Sequence, residues 1–430
     1  MGVRPATKDR EGYGRSSVTQ PTQFPEGFLW GTSSAAHQVE GDNRNNDWWE
    51  FEQKPGNIAN GDRSEIACDH YHRYREDFAL LRELNQNAHR LSIEWSRIEP
   101  DERKFDARQI RHYRDVLGDL REQGIEPMLT LHHFTNPLWF VRKGGWTEKG
   151  SAHAFMPFVH KLVDELGDLV NLWCTINEPV IYATNGWLTG DFPPGRKGDL
   201  TSIYRITGNM RKAHEMAYEA IKRRLPDARV GLSHHKFLFL PASNRLQDRF
   251  AAGTAQAVLD RWPVAPGLFK PVVEASCDYV GIAHYWGQSV AFDARRPKDQ
   301  FIRRFNPPGV PVTDMGWGSN ARWMRQVLNE LKPLRKPVYI TENGIATGQD
   351  PTRETYLKEI LEQVQLAIED GVDVRGYFHW TNMDNFEWSR GYQPKFGLIG
   401  VDRTRATLDR TIKPSGALYG RIAKANAIVD

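Results

Sequence analysis

Two glutamates stand at the ends of apolar runs, Glu178 in Thr-Ile-Asn-Glu-Pro (175–179) and Glu342 in Thr-Glu-Asn-Gly (341–344). A pair of carboxylates facing one cavity suits cleavage of an acetal. The C–O bond breaks with positive charge growing on the sugar ring, so one carboxyl can donate a proton to the leaving oxygen while the other stabilises or captures the cation. Either glutamate alone reads as an exposed or salt-bridged residue at a strand end. Together they read as a site, because neighbouring runs also end in groups a core would not choose: His132 and His133, Asn177, His284 and Tyr285, Asn343, His379 and Trp380.

Eight apolar runs must position these groups: 27–35, 88–95, 126–134, 172–179, 229–236, 279–286, 337–344 and 374–381. Between them lie stretches such as 69–85, 155–167, 321–331 and 355–370, whose apolar residues recur at helical spacing. The alternation predicts an α/β fold, a single (β/α)8 TIM barrel, whose strands open at their carboxyl ends onto one face and bring side chains from several strands together. A doubly wound open sheet is the rival, but no GxGxxG follows the first run and no Walker motif occurs. A chain of 430 residues suits one large barrel or about three domains. No low-complexity linker follows residue 24, so residues 24–430 read as one catalytic domain and residues 1–23 as a disordered tail.

Composition removes several classes of partner. The 57 Lys+Arg against 54 Asp+Glu give a net charge of +3 with no dense basic block, which excludes nucleic acid. No run approaches the roughly 18 apolar residues of a membrane span, and residues 1–23 lack the apolar stretch of a secretory signal. Cys68, Cys174 and Cys277 lie far apart and form no metal-ligand spacing; they read as small core residues in a reducing compartment, the cytoplasm. The pairs His132-His133 and His234-His235 and the His70-x-His72 motif could suggest a metallohydrolase. Two histidines two apart on a helix do not share a face, and no carboxylate motif accompanies the fifth run, so neither metal nor cofactor is expected. Asp47-Trp48-Trp49-Glu50 reads as packing over the barrel rim.

The chain resembles the family 1 β-glycosidases, best known as β-glucosidases. The resemblance runs in order through FPEGFLWGTSSAAHQVEG (24–41), ACDHYHRYREDFALLRELN (67–85), HRLSIEWSRIEP (89–100), the two glutamate motifs and MDNFEWSRGYQPKFGL (383–398). It implies a retaining double displacement on β-D-glucosides and related β-glycosides from the non-reducing end, with Glu178 as general acid/base and Glu342 as nucleophile. Such carboxyls stand about 5 to 5.5 Å apart. Arg90 and Tyr285 match residues beside the nucleophile, where a guanidinium favours its charge and a phenol orients it; Glu94 is the rival partner for Arg90. Gln38, His133, Asn177, Glu387 and Trp388 match positions that hold sugar hydroxyls. Trp380 matches the floor under the ring, Phe396 the wall by its hydroxymethyl group, and Trp317 the leaving-group side.

Two departures concern rate and sugar preference: His133-Phe134 stands where the family often has His-Trp, and Ala283-His284-Tyr285 stands where it usually has Asn-Tyr-Tyr. The segment between Glu40 and Trp48 and several connecting loops are short for the family, which points to an open aglycone side. His284 either tunes the acid/base proton or fills space. Transglycosylation shares the same intermediate and is not separated by sequence. A sugar-binding barrel without catalysis is disfavoured by two intact glutamates, a phospho-glycosidase by the charge of Glu387, and a thioglycosidase by the presence of Glu178. The expected partner is a small β-glycoside or oligosaccharide; oligomeric state is left open.

Overall fold

The computed structural model describes residues 23–257, 269–296 and 301–430. All eight expected runs form strands: β1 (Leu29–Ser33), β2 (Ala88–Ser92), β3 (Glu126–His132), β4 (Leu172–Asn177), β5 (Arg229–His235), β6 (Val280–Ala283), β7 (Val338–Asn343) and β8 (Val374–Trp380). They pair in parallel, each with its chain neighbour, and β1 closes onto β8. Because both faces of each strand are covered, their sequences read as continuous apolar runs rather than alternating ones. Between successive strands, and after β8, run the principal helices α1 (His70–Glu83), α2 (Ala107–Glu122), α3 (Ser151–Leu166), α4 (Leu200–Arg224), α5 (Phe269–Ser276), α6 (Arg322–Asn329), α7 (Asp350–Glu369) and α8 (Pro414–Ala425). The fold is the TIM barrel anticipated from the alternation of patterns.

The barrel is plugged below the site by Ala88, Met128, Leu172, Tyr279, Tyr339 and Phe378, all buried and in mutual contact. This layer leaves the opposite, carboxyl ends of the strands to carry polar groups without opening the core. Helices cover the outer faces through two larger apolar clusters, one including Phe78, Leu117 and Phe158, the other Met324, Leu361 and Leu418.

One strand departs from expectation. The sixth run, read as 279–286, stays in the barrel only through Ala283. The chain then turns at 284–286 and continues as Gly287–Phe292, which joins Leu238–Pro241 and Ile302–Phe305 in a separate three-stranded sheet. Gly287 faces Trp323 so closely that an added Cβ would lie 3.0 Å from the indole, a contact that favours glycine at this exit. Gln23, assigned from sequence to the tail, forms an antiparallel bridge with Ala427; residues 1–22 lie outside the described residues. Among the described residues, no helix is long and apolar enough to cross a membrane and no cluster of three or more His, Cys, Asp or Glu could hold a metal ion. The three cysteines are buried and free.

Candidate active site

Glu178 directly follows β4 and starts the short helix Pro179–Thr184. Its backbone lies in the left-handed region, φ 41° and ψ 60°, which costs a non-glycine residue about 1 kcal/mol or more and needs local support. That support comes from its N–H, which donates to Ser233 O at 2.8 Å, and from Tyr182 N–H, which donates to its carbonyl at 3.0 Å. Pro179 suits the first helical position because no N–H partner is available there. On the facing side, Glu342 is the penultimate residue of β7. The chain after it passes so close to β8 that a Cβ on Gly344 would lie 2.0 Å from the carbonyl oxygen of Trp380, so glycine is required to hold these two residues side by side.

Arg90, in β2, crosses the barrel beneath both glutamates. Its Nη1 donates to Glu342 Oε1 at 2.5 Å and to Ser33 Oγ at 3.1 Å, and its Nη2 donates to Asn177 Oδ1 at 2.6 Å. A guanidinium without solvent exposure is tolerable only when paired and hydrogen-bonded in this way. Tyr285 Oη donates to the other oxygen, Glu342 Oε2, at 3.0 Å. Glu94 is not the partner of Arg90; it accepts from Ser96 and Thr135.

Burial pushes Glu342 up to about 7, against the lowering pull of Arg90 and Tyr285 and with the negative charge of Glu178 adding to the rise. Burial likewise pushes Glu178 up to about 7, opposed by the charges of Arg90 and His234. From sequence, only the guanidinium was weighed for Glu342; desolvation is the larger effect, and Arg90 limits the rise rather than reversing it.

These groups line a cavity of about 220 Å³ together with His133, Trp317, Trp380, Glu387, Trp388 and Phe396. Trp380 Nε1 donates to Glu387 Oε2 at 3.4 Å, and burial pushes the Glu387 carboxyl up to about 8. Trp388 is braced from behind by Trp48, with ring centroids 4.6 Å apart, which gives the Asp47-Trp48-Trp49-Glu50 cluster its packing role. Trp317 and Phe396 flank Tyr285 at centroid distances of 5.7 and 6.0 Å.

Gln38 and Asn177 are brought to the site but lie behind the cavity wall. Gln38 Nε2 donates to Phe386 O at 2.8 Å and Glu387 Oε2 at 3.4 Å. Asn177 Nδ2 donates to His133 Nε2 at 3.0 Å, a contact that leaves the proton of the neutral imidazole on Nδ1. Burial holds His133 well below the ordinary imidazole value, so it stays neutral. Among the described residues, His133 Nδ1 and Gln38 Oε1 are buried polar atoms without a hydrogen-bond partner. A buried polar atom without a partner is costly, so unused hydrogen-bonding capacity remains on His133 in the cavity lining and on Gln38 behind it.

The cavity is also lined by Phe134, Ile181, Asn185, Asp191, Phe192, Trp286 and Met315. His234 and His235 end the fifth run, so one of them is expected at the border of the pocket; His235 is the one that lines the cavity, and its Nδ1 lies 2.6 Å from Glu178 Oε1. The signal available was its place as the last residue of β5. His284 places Nδ1 2.8 Å from Lys236 O. His70 and His72 pair with Asp77 and Asp69.

A closed parallel barrel that gathers two buried glutamates at its carboxyl rim, among aromatic and polar side chains, has the organisation of a glycoside hydrolase. The family model for glycosyl hydrolase family 1 matches residues 20–269 and 269–428, and the chain belongs to that family. It is 33% identical to the 1,4-beta-D-glucan glucohydrolase of Thermotoga neapolitana over 95% of this chain and 100% of the relative. It is 33% identical to beta-glucosidase A of Thermotoga maritima over 95% and 99%. Among solved structures, the beta-glycosidase from Pyrococcus horikoshii superposes with a TM-score of 0.88 at 35% identity, covering 96% of this chain and 97% of that one. The Thermotoga maritima beta-glucosidase in complex with glucoimidazole superposes with a TM-score of 0.89 at 31% identity, covering 95% and 100%.

Proposed function

We propose that the enzyme is a retaining β-glycosidase that hydrolyses β-D-glucosides and related β-glycosides from the non-reducing end through a glycosyl-enzyme intermediate. The observation that carries this reading is the unequal treatment of the two glutamates. Glu342 has a guanidinium on one oxygen and a phenol on the other, which orient it and favour its charge, as a nucleophile needs. Glu178 lies outside that network and can hold a proton for the leaving oxygen.

In the first step Glu342 attacks the anomeric carbon as Glu178 protonates the glycosidic oxygen, and the aglycone leaves. In the second, Glu178, now ionised, takes a proton from water, which attacks the same carbon and releases Glu342. Two inversions restore the β-configuration. The sugar ring stacks on Trp380, while Glu387, Gln38, His133, Asn177 and Trp388 serve its hydroxyls directly or by fixing the groups that do. Phe396 walls the hydroxymethyl side, and Trp317 faces the leaving group. The three buried thiols suit a reducing compartment, which supports the cytoplasm as its location.

The decisive experiment is a panel of aryl β- and α-glycosides, with the anomer of the first product followed by NMR before mutarotation. Cleavage of β-glycosides with initial release of the β-anomer is expected. Initial release of the α-anomer from a β-glycoside would overturn the double displacement, and preference for α-glycosides would overturn the substrate class. Adding a simple alcohol then measures how much of the intermediate is transferred rather than hydrolysed.

A further inference from the structure

We propose that His235 is a positioning residue for the acid/base, its Nδ1–H holding Oε1 of Glu178 so that Oε2 is turned toward the glycosidic oxygen. This rests on the assignment of Glu178 as acid/base and adds a residue to it. The contact is 2.6 Å long between two buried side chains. Oε2 of Glu178 makes no hydrogen bond to a described residue, so the two carboxyl oxygens are distinguished by their surroundings.

The placement follows from the sheet register. β5 and β6 pair His235 with Ala283, and β6 and β7 pair Ala283 with Glu342. The residue between His235 and the nucleophile therefore ends in a methyl group and offers Glu178 no donor. The imidazole comes instead from β5, and its ring is held between Phe237, at a centroid distance of 4.6 Å, and Trp286, at 5.9 Å. Tyr285 lies nearly parallel to it at 6.3 Å. A ring wedged among three aromatic rings has little freedom to turn, which is what a positioning group requires.

One tautomer serves both half-reactions. While Glu178 is protonated on Oε2, its Oε1 is a carbonyl-like acceptor for Nδ1–H. Once Oε2 has given up its proton, the same N–H stabilises the carboxylate that must act as base. No proton needs to move on His235, so the step conserves its charge.

Other titratable groups among the described residues face this pair. Arg90 donates to Glu342 and Asn177, and Tyr285 donates to Glu342. On the strand of His235 itself, Lys236 Nζ lies 3.3 Å from Glu330, and His234 contributes a charge that favours ionised Glu178. From the end of β6, His284 turns its Nδ1 to Lys236 O, and across the cavity Glu387 adds a further acid.

A hydrogen bond donated to a carboxylate favours its charged form, so the bond from His235 holds Glu178 lower than burial alone would. His235→Phe keeps an aromatic ring but removes the donor. It should move the alkaline limb of kcat/KM upward by about one pH unit. It should also slow alkyl glucosides by about tenfold more than nitrophenyl glucosides, because only the former need full proton donation. His235→Asn places an amide nitrogen the same number of bonds from Cα as Nδ1, and should return both the limb and the leaving-group dependence toward those of the parent enzyme. Thermal unfolding of each variant establishes that it is folded, and Glu178→Gln serves as the reference. If the alkaline limb survives in Glu178→Gln, the acid/base assignment itself is wrong. If that limb disappears in Glu178→Gln yet stays in place in folded His235→Phe, or if His235→Asn behaves like His235→Phe, the role of His235 is overturned while the acid/base assignment stands. Should His235→Phe fail to fold, His235→Asn and His235→Gln replace it as the pair compared. Gln carries its amide one bond further out, and an identical limb and leaving-group dependence in both would overturn the proposal.

Discussion

The two sides of the cavity hold their glutamates by different means. Around Glu342, β2 supplies a permanent cation and the segment after β6 a phenol, and both carboxylate oxygens are taken. Around Glu178, β5 supplies an imidazole and the segments after β5 and β6 supply aromatic rings, and one oxygen is left without a described partner. Burial raises both acids alike, to about 7. The difference between them therefore lies in neighbours rather than in depth. On the proposed double displacement, the acid that must stay charged has a guanidinium beside it, which does not titrate in the working range, and the acid that must gain and lose a proton has an imidazole, which can donate to either of its states.

The largest effect that tests this contrast is removal of the Glu342 carboxylate. Glu342→Gln, nearly isosteric, should lose several powers of ten in kcat while still binding a sugar-like inhibitor. Near-normal turnover in the purified variant would show that the charged network on β2 and β7 does not hold the nucleophile.

On the other side, Glu178→Ala should cost about two to four powers of ten on substrates with basic leaving groups, the usual span of general acid–base catalysis. On an activated nitrophenyl glycoside the aglycone departs with little help, but water attack still lacks its base, so glycosyl-enzyme should accumulate. Azide needs no deprotonation and should restore turnover, giving the β-glycosyl azide because the anomeric carbon has already been inverted once. Recovery of the α-azide, or no acceleration in a folded variant, would transfer the acid/base role away from Glu178.

Arg90→Met tests the network with a smaller expected loss, about two powers of ten in kcat/KM, from a misplaced and less readily ionised Glu342. The parent enzyme should show a bell-shaped profile, since the active pair carries one proton: a second proton neutralises Glu342 on the acid side, and loss of the only proton disarms Glu178 on the alkaline side. Arg90 lowers the Glu342 value, so its removal raises that value and moves the acid limb to higher pH. An acid limb unmoved in Arg90→Met would separate it from Glu342.

The fold and the two glutamates were legible in the sequence because they depend on local pattern. Eight apolar runs bounded by helical stretches suffice for the barrel, and each glutamate stands at the end of its own run. The partner of Arg90 was legible through resemblance rather than pattern, since β2 and β7 are distant in sequence. What sequence left open, which of His234 and His235 borders the pocket and what it touches, depends on register. His235 ends its strand as several other polar residues do, and only the alignment of β5 with β6 and the conformation at Glu178 bring its Nδ1 within reach. The early exit of the sixth run was hidden for the same reason: Tyr285 and Trp286 are good strand residues, and the close packing of Gly287 against Trp323 just beyond them joins residues distant in sequence.

The smallest effect expected concerns Trp317, proposed to face the leaving group, which packs against Tyr285. The cavity is also lined by Phe134, Ile181, Phe192, Trp286 and Met315, an apolar surface suited to a flat or hydrophobic aglycone. Trp317→Ala removes one large ring from it, and the affected interaction is with the departing group, not with the sugar. For nitrophenyl glucosides KM should rise about tenfold, a loss typical of one aromatic contact. For methyl glucoside, which cannot reach that surface, KM should hold steady. Deglycosylation follows aglycone departure, so kcat on substrates limited by the second step should be unaffected. Equal losses on aryl and methyl glucosides would mean instead that Trp317 acts through Tyr285 on the nucleophile, and would move it from the leaving-group side to the charged network around Glu342.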